Sequence, residues 1–450
     1  MLLLYTNNHY QIRFIPIINY IEKLIANQDK IINIIKRIIG SLENLAKTML
    51  TYREYRIGDG DMDFDRVIER HQTNSMKWDA VSTRYGEEGL WPMWVADMDF
   101  QAPKPVLQAM EQLVEHGIFG YHTIPNSLRE ATTSWLKRRL NWHVREENIV
   151  FTPGVVPAIH HMIATFTKKG DGIIIQTPVY YPFYSLIEFN ERTLLRNPLI
   201  EVEEGHFTID FEDLENQMKK GAKMLLFCSP HNPIGRVWRK EELEKVAELA
   251  AKYQVLVVSD EIHSDLILTG KHIPFATVAS SKGVEIITCM APSKTFNLAA
   301  LQLSYAVFQN KRLQKEYETR LTKQFVGVDN PFATAAAEAA YRYGEEWLEQ
   351  LLNYVRDNIQ YLKEWMKEHI PKIRVIEPEG TYLVWLDMRA LGMDAKELET
   401  WLRKEAKLAL NDGHIFGTEG EGFARINLAC PRRNVEEGLS RLYAAYIKRK

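Results

Sequence analysis

Short runs of aliphatic residues recur along the chain between residues 149 and 290, and each is followed by small or polar residues. Most of these runs show no alternation of apolar and polar positions, which is typical of strands covered on both faces of a parallel sheet. The clearest runs are Ile149–Phe151, Ile173–Ile175, Leu225–Cys228, Val255–Val258 and Val284–Met290. Helical patterns alternate with them from about Lys104 to Gln309, so the sequence predicts a mostly parallel, doubly wound α/β sheet.

The pattern changes after this region. A long helical stretch is predicted from about Lys311 to His369, followed by a smaller α+β domain from Ile373 to the end. The segment Trp78–Phe100 is expected to pack with that small domain. The predicted organisation is an N-terminal extension (1–61), an arm (62–103), a large domain (104–320), and a connecting helix with the small C-terminal domain (321–450).

Two of the predicted strands end at residues suited to chemistry. Lys294 follows the run Val284–Met290, and lysine forms Schiff bases with carbonyl cofactors such as pyridoxal 5'-phosphate (PLP). The Ser293–Lys294 pair is not specific by itself, because most lysines are surface charges. Asp260 ends another strand, where a carboxylate can keep a pyridine nitrogen protonated. Capping of the next helix by Asp260 or Glu261 remains the alternative.

Three further strand ends fit the same cofactor. Asn232 lies in a Pro-rich turn, either as a plain turn residue or as a donor to the 3'-oxygen of the cofactor. Gly154 precedes a predicted helix start, whose exposed amides suit a phosphate dianion. Tyr180 and Tyr181 follow a strand, where an aromatic ring can stack on a pyridine or simply pack in the core.

The order of these features resembles that of fold-type I PLP enzymes, and longer motifs make the resemblance close. The chain resembles the MalY/PatB branch of class I/II aminotransferases, the cystathionine β-lyases or cysteine-S-conjugate β-lyases. The resemblance implies a large domain with a mostly parallel, seven-stranded sheet and a smaller α+β domain. It runs from about Met62 to the C-terminus and is carried by Pro92–Phe100, Gly120–His122, Ser259–Leu266, Ala291–Asn297, Pro378–Asp387 and Phe423–Pro431.

The resemblance assigns roles to individual residues. It implies that Lys294 binds PLP covalently, that Asp260 pairs with the pyridinium nitrogen and that Arg425 binds the substrate carboxylate. Other implied cofactor contacts are Asn232 and His263 near the 3'-oxygen, Tyr180 stacked on the ring, and the Val155 and Val156 amides with Ser293 at the phosphate. Catalytic roles are also implied for Tyr181 and for Tyr121, which would reach the phosphate from a neighbouring subunit, and a substrate contact for Ala96.

Two positions depart from the broader aminotransferase pattern. Gln302 stands where an arginine usually contacts the phosphate, so we expect the phosphate to be held more by amides and hydroxyls and less tightly. Ala300 stands where glycine is common, which narrows the backbone space beside the lysine.

The implied activity is cleavage of cystathionine or a related cysteine S-conjugate to a thiol, pyruvate and ammonia. An aminotransferase is the alternative, because both reactions begin with removal of the Cα proton and diverge at the pocket for the β-substituent. A third hypothesis is that the chain is a regulatory PLP-binding protein. The extension has no helix-turn-helix pattern, and Lys294, Asp260 and Arg425 are all present, so catalysis is favoured. The resemblance also implies a homodimer.

Composition agrees with this interpretation without requiring it. The 450 residues are 46% hydrophobic with a net charge of −3, which excludes a disordered chain and indicates no basic surface for nucleic acid. Cys228, Cys289 and Cys430 lie in apolar runs without CxxC spacing, so we predict buried thiols in a cytoplasmic protein. His160–His161 lacks a spaced partner, so a helix surface and no metal are predicted.

The first 61 residues do not fit this scheme. Isoleucines and leucines between Ile31 and Leu45 predict an amphipathic helix, interrupted too often to span a bilayer, and no signal-peptide pattern is present. A membrane-surface or dimerisation helix is one alternative. Our preferred hypothesis is that translation starts at Met62, where the resemblance begins. Native protein whose N-terminal sequence starts well before Met62 would refute it.

Overall fold

The computed structural model describes residues 62–449, so the predictions for the extension lie outside the described residues. The strands are β1 (Trp91–Pro92), β2 (Ile149–Thr152), β3 (Gly172–Ile175), β4 (Thr193–Arg196), β5 (Ile200–Glu203), β6 (His206–Thr208), β7 (Met224–Cys228), β8 (Leu256–Asp260), β9 (Ile286–Met290), β10 (Ser304–Phe308), β11 (Arg374–Ile376), β12 (Leu383–Asp387), β13 (Leu408–Ala409), β14 (Asn411–Asp412) and β15 (Phe423–Asn427). The α-helices are α1 (Val81–Tyr85), α2 (Lys104–His116), α3 (Asn126–Leu140), α4 (Val155–Phe166), α5 (Pro182–Phe189), α6 (Phe211–Lys219), α7 (Lys240–Tyr253), α8 (Phe275–Ala279), α9 (Pro292–Thr295), α10 (Lys311–Lys323), α11 (Pro331–Tyr343), α12 (Glu345–His369), α13 (Ala395–Thr400) and α14 (Arg432–Arg449).

A seven-stranded sheet forms the centre of the fold, in the order β2-β10-β9-β8-β7-β3-β4. Strands β4, β3, β7, β8 and β9 pair in parallel, whereas β10 runs antiparallel to both β9 and β2. The predicted mostly parallel α/β sheet is therefore confirmed. The carboxyl ends of its parallel strands meet at one edge, where open α/β sheets bind their ligands.

Both faces of this sheet are buried, which explains why its strands lack polar alternation. Leu225 and Phe227 of β7 point into one apolar cluster, while Met224 and Leu226 point into a second cluster on the opposite face. Because successive side chains of a strand point to opposite faces, helices on both sides require apolar residues at every position.

The predicted helical stretch from Lys311 to His369 consists of three helices rather than one. Between α10 and α11, the Asn330 side chain caps the start of α11 by accepting the N–H groups of Phe332 and Ala333 at 3.0 and 3.3 Å. Pro331 occupies the first helical position. Such a capping residue followed by proline is a helix-start signal, and a new helix, α11, begins here. Gly344 then separates α11 from α12.

The C-terminal part contains a four-stranded antiparallel sheet in the order β11-β12-β15-β14. The segment near Trp91 packs against this part of the chain: β1 pairs in parallel with β13, and the Asn427 N–H donates to the Met93 carbonyl at 2.9 Å. Residues 95–100 are thereby carried to the junction between the C-terminal sheet and the central sheet.

Several sequence expectations concern single features of the described part. Cys228, Cys289 and Cys430 are buried, free thiols. His160 and His161 are half-buried on α4. Among residues 62–449, none of the helices has the length and apolar character needed to cross a membrane, and no cluster of potential metal ligands is found.

Candidate active site

Residues from four strand ends converge at the carboxyl edge of the central sheet. Asp260 ends β8, Asn232 follows β7, Lys294 follows β9, and α4 begins shortly after β2. Arg425 enters from β15 of the C-terminal sheet and donates from Nη1 to Asn232 Oδ1 at 2.8 Å. The site is therefore built between the two sheets.

Lys294 lies on the one-turn helix α9 and is half-buried. Its Nζ donates a 2.7 Å hydrogen bond to the Ala96 carbonyl. Burial lowers the pKa of Lys294 to about 8; the Arg425 charge lowers it further, while Asp97 and Asp260 oppose the shift. An amine with such a pKa is partly in its free-base form near neutral pH, as a nucleophile or general base requires.

Asp260 is buried, with 4% of its surface exposed. Burial raises the pKa of its carboxyl to about 7, the nearby Glu261 charge adds to the rise, and a 3.2 Å hydrogen bond from the Ile262 N–H opposes it. A buried carboxyl of this kind is stabilised in its ionised form by a cation placed beside it.

The helix-capping alternative applies to Glu261. Its Oε1 accepts the N–H of Phe275, the first residue of α8, at 3.1 Å and the Ser259 hydroxyl at 2.8 Å. Its Oε2 lies 2.7 Å from His272 Nε2. Asp260 Oδ1 instead accepts the backbone N–H of Ile262 in the turn at the strand end.

Two residues of the same region carry buried polar atoms without a partner. Among the described residues, His263 Nδ1 and Arg425 Nε have no hydrogen-bond partner although both side chains are buried. Burial, with the charges of Lys294 and Arg425, lowers the pKa of His263 to about 3, so its ring is neutral. A buried polar atom left unpaired is costly, which favours a ligand that supplies its partner.

Arg425 contributes a buried guanidinium cation to the site. Its Nη2 donates to the Trp94 carbonyl at 3.2 Å and to the side chain of Asn411, and its guanidinium carbon lies 4.8 Å from the centre of the Phe416 ring. Burial lowers the pKa of Arg425 to about 10. The guanidinium keeps its charge at neutral pH and can bind a carboxylate.

Tyr180 and Tyr181 are neighbouring rings close to Arg425. Their ring centres are 5.6 Å apart, and the ring of Tyr181 lies 6.0 Å from Phe416. Burial raises the pKa of Tyr180 above its usual range, and the neighbouring Tyr181 and Asp260 add to the rise. Tyr180 is therefore a neutral ring close to Asp260.

The start of α4 is available for an anion. Gly154 precedes the helix with φ +153° and, as a glycine, has no side chain that could cap the helix start. The Val155 and Val156 amides thus lie at the N-terminus of a 12-residue helix. Ser293 is beside Lys294 on α9, whereas Gln302 and Ala300 are exposed at the end of the same loop.

Among the predicted site residues, Tyr121 lies away from the others in the described chain. It is fully exposed in the loop after α2, next to the exposed apolar residues Ile118 and Phe119. Within the described residues, no hydrogen bond or ring contact joins it to the site.

The sequence interpretation missed the residues that support the segment around Ala96. Tyr382 donates its hydroxyl to the Ala96 carbonyl at 3.0 Å, and the Asn427 amide donates to the carbonyls of Val95 and Asp97 at 2.5 and 2.6 Å. The Asn297 side chain bonds to the backbone of Met98 and Phe100 in the same segment. Both asparagines stand inside motifs already singled out, Ala291–Asn297 and Phe423–Pro431, but their spacing does not reveal a common partner.

Comparison with known proteins agrees with this site. Residues 95–442 match the family Aminotransferase class I and II. The chain is 41% identical to cystathionine beta-lyase PatB of Bacillus subtilis (85% of this chain, 100% of the relative) and 35% identical to protein MalY of Escherichia coli (85% and 98%). The crystal structure of cystalysin from Treponema denticola, which contains a pyridoxal 5'-phosphate cofactor, superposes with a TM-score of 0.83 at 36% identity, covering 87% of this chain and all of that one.

Proposed function

This chain belongs to the class I and II aminotransferase family, and we propose that it is a PLP-dependent carbon–sulfur β-lyase that cleaves cystathionine or related cysteine S-conjugates. The observation that carries the proposal is the meeting of Lys294, Asp260 and Arg425 at one edge of the central sheet, in a chain 41% identical to a cystathionine β-lyase. The products are a thiol, pyruvate and ammonia, with one water consumed.

The residues present fit PLP. Lys294 would bind its aldehyde carbon, Asp260 would hold the proton of the ring nitrogen, and the uncapped start of α4 with Ser293 would bind the phosphate. The unpaired Nδ1 of the neutral His263 supports a role near the ring oxygen. Asn232 would serve there as well, and Tyr180 would stack on the ring. These roles are part of the proposal.

The Arg425 guanidinium would orient the substrate by binding its α-carboxylate, with Asn232 and Asn411 fixing the guanidinium plane. Ala96 and Tyr181 border the same space. When bound, PLP supplies an electron-accepting ring that stabilises negative charge at the substrate Cα. The Lys294 amine, once free, would remove the Cα proton, and its lowered pKa makes the unprotonated form available.

An aminotransferase is the second candidate, because Lys294, Asp260 and Arg425 serve its first proton transfer equally well. The two activities differ in the fate of the substituent on the β-carbon. Since PatB is named a cystathionine beta-lyase at 41% identity over the whole relative, the lyase is the function we propose.

We further propose that the active unit is a cytoplasmic homodimer in which Tyr121 completes the site of the neighbouring subunit. Support comes from the exposed loop that carries Tyr121 together with the apolar residues Ile118 and Phe119. Exposed apolar residues grouped in this way are typical of interaction surfaces. Three buried, free thiols are compatible with a reducing compartment.

The test is one assay on the purified protein with PLP and L-cystathionine, following pyruvate, homocysteine and amino-group transfer to an added keto acid. We expect pyruvate and homocysteine in equal amounts. The activity should be lost in Lys294→Ala and retained in Lys282→Ala, a matched variant of a lysine that pairs with Glu248 on the surface. Keto-acid-dependent transfer without release of thiol would make the protein an aminotransferase instead.

A further inference from the structure

The carbonyl that receives the Lys294 amine belongs to a tightly held segment, residues 95–100. Asn297, three residues after Lys294, accepts the Met98 N–H at 3.0 Å and donates to the carbonyls of Met98 and Phe100, each at 3.0 Å. The Asp99 N–H donates to the Ala429 carbonyl at 3.0 Å. With the Tyr382 and Asn427 bonds described above, the segment is fixed from both sheets, so its charges have fixed positions relative to Lys294.

Two carboxylates of this segment form an ion-pair network with the arm of the chain. Arg70 bonds to both oxygens of Asp97, at 3.2 and 2.8 Å, and to Asp99 at 2.6 Å. Lys77 lies 2.8 Å from Asp99 and 3.7 Å from Asp97, and its side chain is 1% exposed. Asp99 is also buried, at 3% exposure, whereas Asp97 keeps 19% of its side chain exposed. The network thus runs from the interior at Lys77 to the partly open carboxylate of Asp97.

Asp97 directly follows Ala96, whose carbonyl accepts the Lys294 amine, and it is the carboxylate of this network whose charge acts on Lys294. The other charged groups that act on Lys294 are Asp260 from β8 and Arg425 from β15. The neutral His263 also faces it, and the Tyr382 hydroxyl donates to the same Ala96 carbonyl as the Lys294 amine. Asp97 is joined to Arg70 by a pair of hydrogen bonds, whereas Asp99 receives one from Arg70. Arg70 is therefore the cation bound most closely to the Asp97 carboxylate, with Lys77 farther away at 3.7 Å.

We propose that the Asp97–Arg70 ion pair is a positioning device that sets how strongly the Lys294 nitrogen holds its proton. The proposal rests on the proposed function, since it assigns this pair to the proton transfer of Lys294. An anion near Lys294 favours the protonated nitrogen, and a cation clamped on that anion weakens the effect. Removing the two members of the pair therefore has opposite consequences, which a purely structural role does not produce.

The experiment measures the pH at which the absorption of lysine-bound PLP changes in the full-length holoenzyme, because the proton on the Lys294 nitrogen alters that absorption. A second readout is the pH dependence of the rate at which the PLP-free full-length chain takes up PLP, which requires the unprotonated amine. Asp97→Asn should lower both midpoints by about one unit. Arg70→Gln should raise them by roughly half a unit, and Arg70→Lys, which keeps the charge, should stay near the unsubstituted protein.

Arg312→Gln is the matched control, because Arg312 pairs with Glu285 and Glu316 on the surface, and it should leave both midpoints unchanged. Midpoints that do not move, or that move in the same direction in Asp97→Asn and Arg70→Gln, overturn the proposal. If Asp97→Asn does not fold, the two Arg70 variants decide: a midpoint that fails to rise in Arg70→Gln overturns it. If the unsubstituted chain does not bind PLP at Lys294, the proposed function is wrong. If that chain binds PLP but the Asp97 and Arg70 variants have the same pH midpoints as it does, only the proposed role of the ion pair is wrong.

Discussion

At the scale of single residues, the active site is built from groups whose burial is unfavourable in the absence of a ligand. Asp260 is 4% exposed, and burial raises its pKa to about 7. The same burial leaves His263 Nδ1 and Arg425 Nε without partners in the described part of the chain. Because such groups are costly to bury, the site is stabilised only when a ligand supplies charge and hydrogen bonds to them.

Asp260→Asn separates stability from function. In the PLP-free chain the folded protein holds the Asp260 proton up to about pH 7, whereas an unfolded chain releases it at about pH 3.9. Stability contributed by this residue therefore falls as pH rises from about 4 to about 7 and stays low above it. The asparagine variant should unfold at higher urea concentration than the unsubstituted chain, with an advantage of about 2–4 kcal/mol at pH 8 that shrinks towards pH 4.

The same variant should lose nearly all lyase activity, because asparagine cannot stabilise a protonated ring nitrogen. Urea unfolding of both PLP-free proteins at the two pH values, alongside the pyruvate assay, checks the two expectations. An equal or lower stability of the variant above pH 7 would mean that the Asp260 carboxyl is not neutralised by burial.

At the scale of elements, the turn after β7 links the central sheet to the C-terminal sheet. The carbonyl of Gly235 accepts the N–H groups of Glu379 and Gly380, each at 2.9 Å. Arg236 continues the contact with a 2.8 Å bond to Glu379. Since this turn also carries Asn232, its fit against the segment Pro378–Gly380 fixes the position of Asn232 relative to Arg425.

Gly235→Ala should lower the free energy of unfolding by more than the positive φ of Gly235 alone accounts for. Gly235 has φ +74°, and an added Cβ would lie 2.5 Å from the Cβ of Pro378. Gly270 has a similar φ of +79° with nothing within 4 Å, so Gly270→Ala is the matched control. The control should cost about 1 kcal/mol of unfolding free energy, and Gly235→Ala a further 1–3 kcal/mol or so from the clash. Urea unfolding gives both values, and equal losses would show that the turn is free to move away from Pro378.

At the scale of the whole molecule, a single described chain does not bring Tyr121 to the other predicted site residues. Tyr121 is fully exposed, and Ile118 and Phe119 beside it are 72% and 58% exposed. A shared site in a symmetric dimer would bury this loop and bring each Tyr121 to the partner. Because such a site takes residues from two chains, two inactive variants can restore an intact site when they are combined in one dimer.

Hybrid dimers provide the measurement. Tyr121→Ala and Lys294→Ala should each have little activity as pure proteins. After unfolding and refolding of an equal mixture, half of the dimers combine the two chains, and each hybrid has one site with both residues intact. Activity should recover to about one quarter of that of the unsubstituted protein. A mixture no more active than its components would exclude a site shared through Tyr121, and sedimentation of the unsubstituted protein checks the dimer itself.

The sequence by itself determined the elements and their chemistry. Uninterrupted aliphatic runs such as Leu225–Cys228 predicted buried strands, because sheets covered on both faces require apolar residues at every position. The residues placed at strand ends, Asp260 and Lys294, followed directly, since the carboxyl ends of parallel strands share one edge. The break of the helical stretch at Asn330 was not predicted, because an N-terminal capping signal inside a helix-forming region is easily overridden.

Only the tertiary structure decided which distant segments meet at that edge. The hydrogen bond from Arg425 to Asn232 joins residues 193 positions apart, and the one from Lys294 to Ala96 joins residues 198 positions apart. The network of Arg70, Lys77, Asp97 and Asp99 is likewise a matter of packing between the arm and the two sheets. Local patterns report which face of an element is buried, but not its partner. The pKa values of Lys294 and Asp260, which arise from burial and from charges brought in by other segments, could therefore be read only from the folded chain.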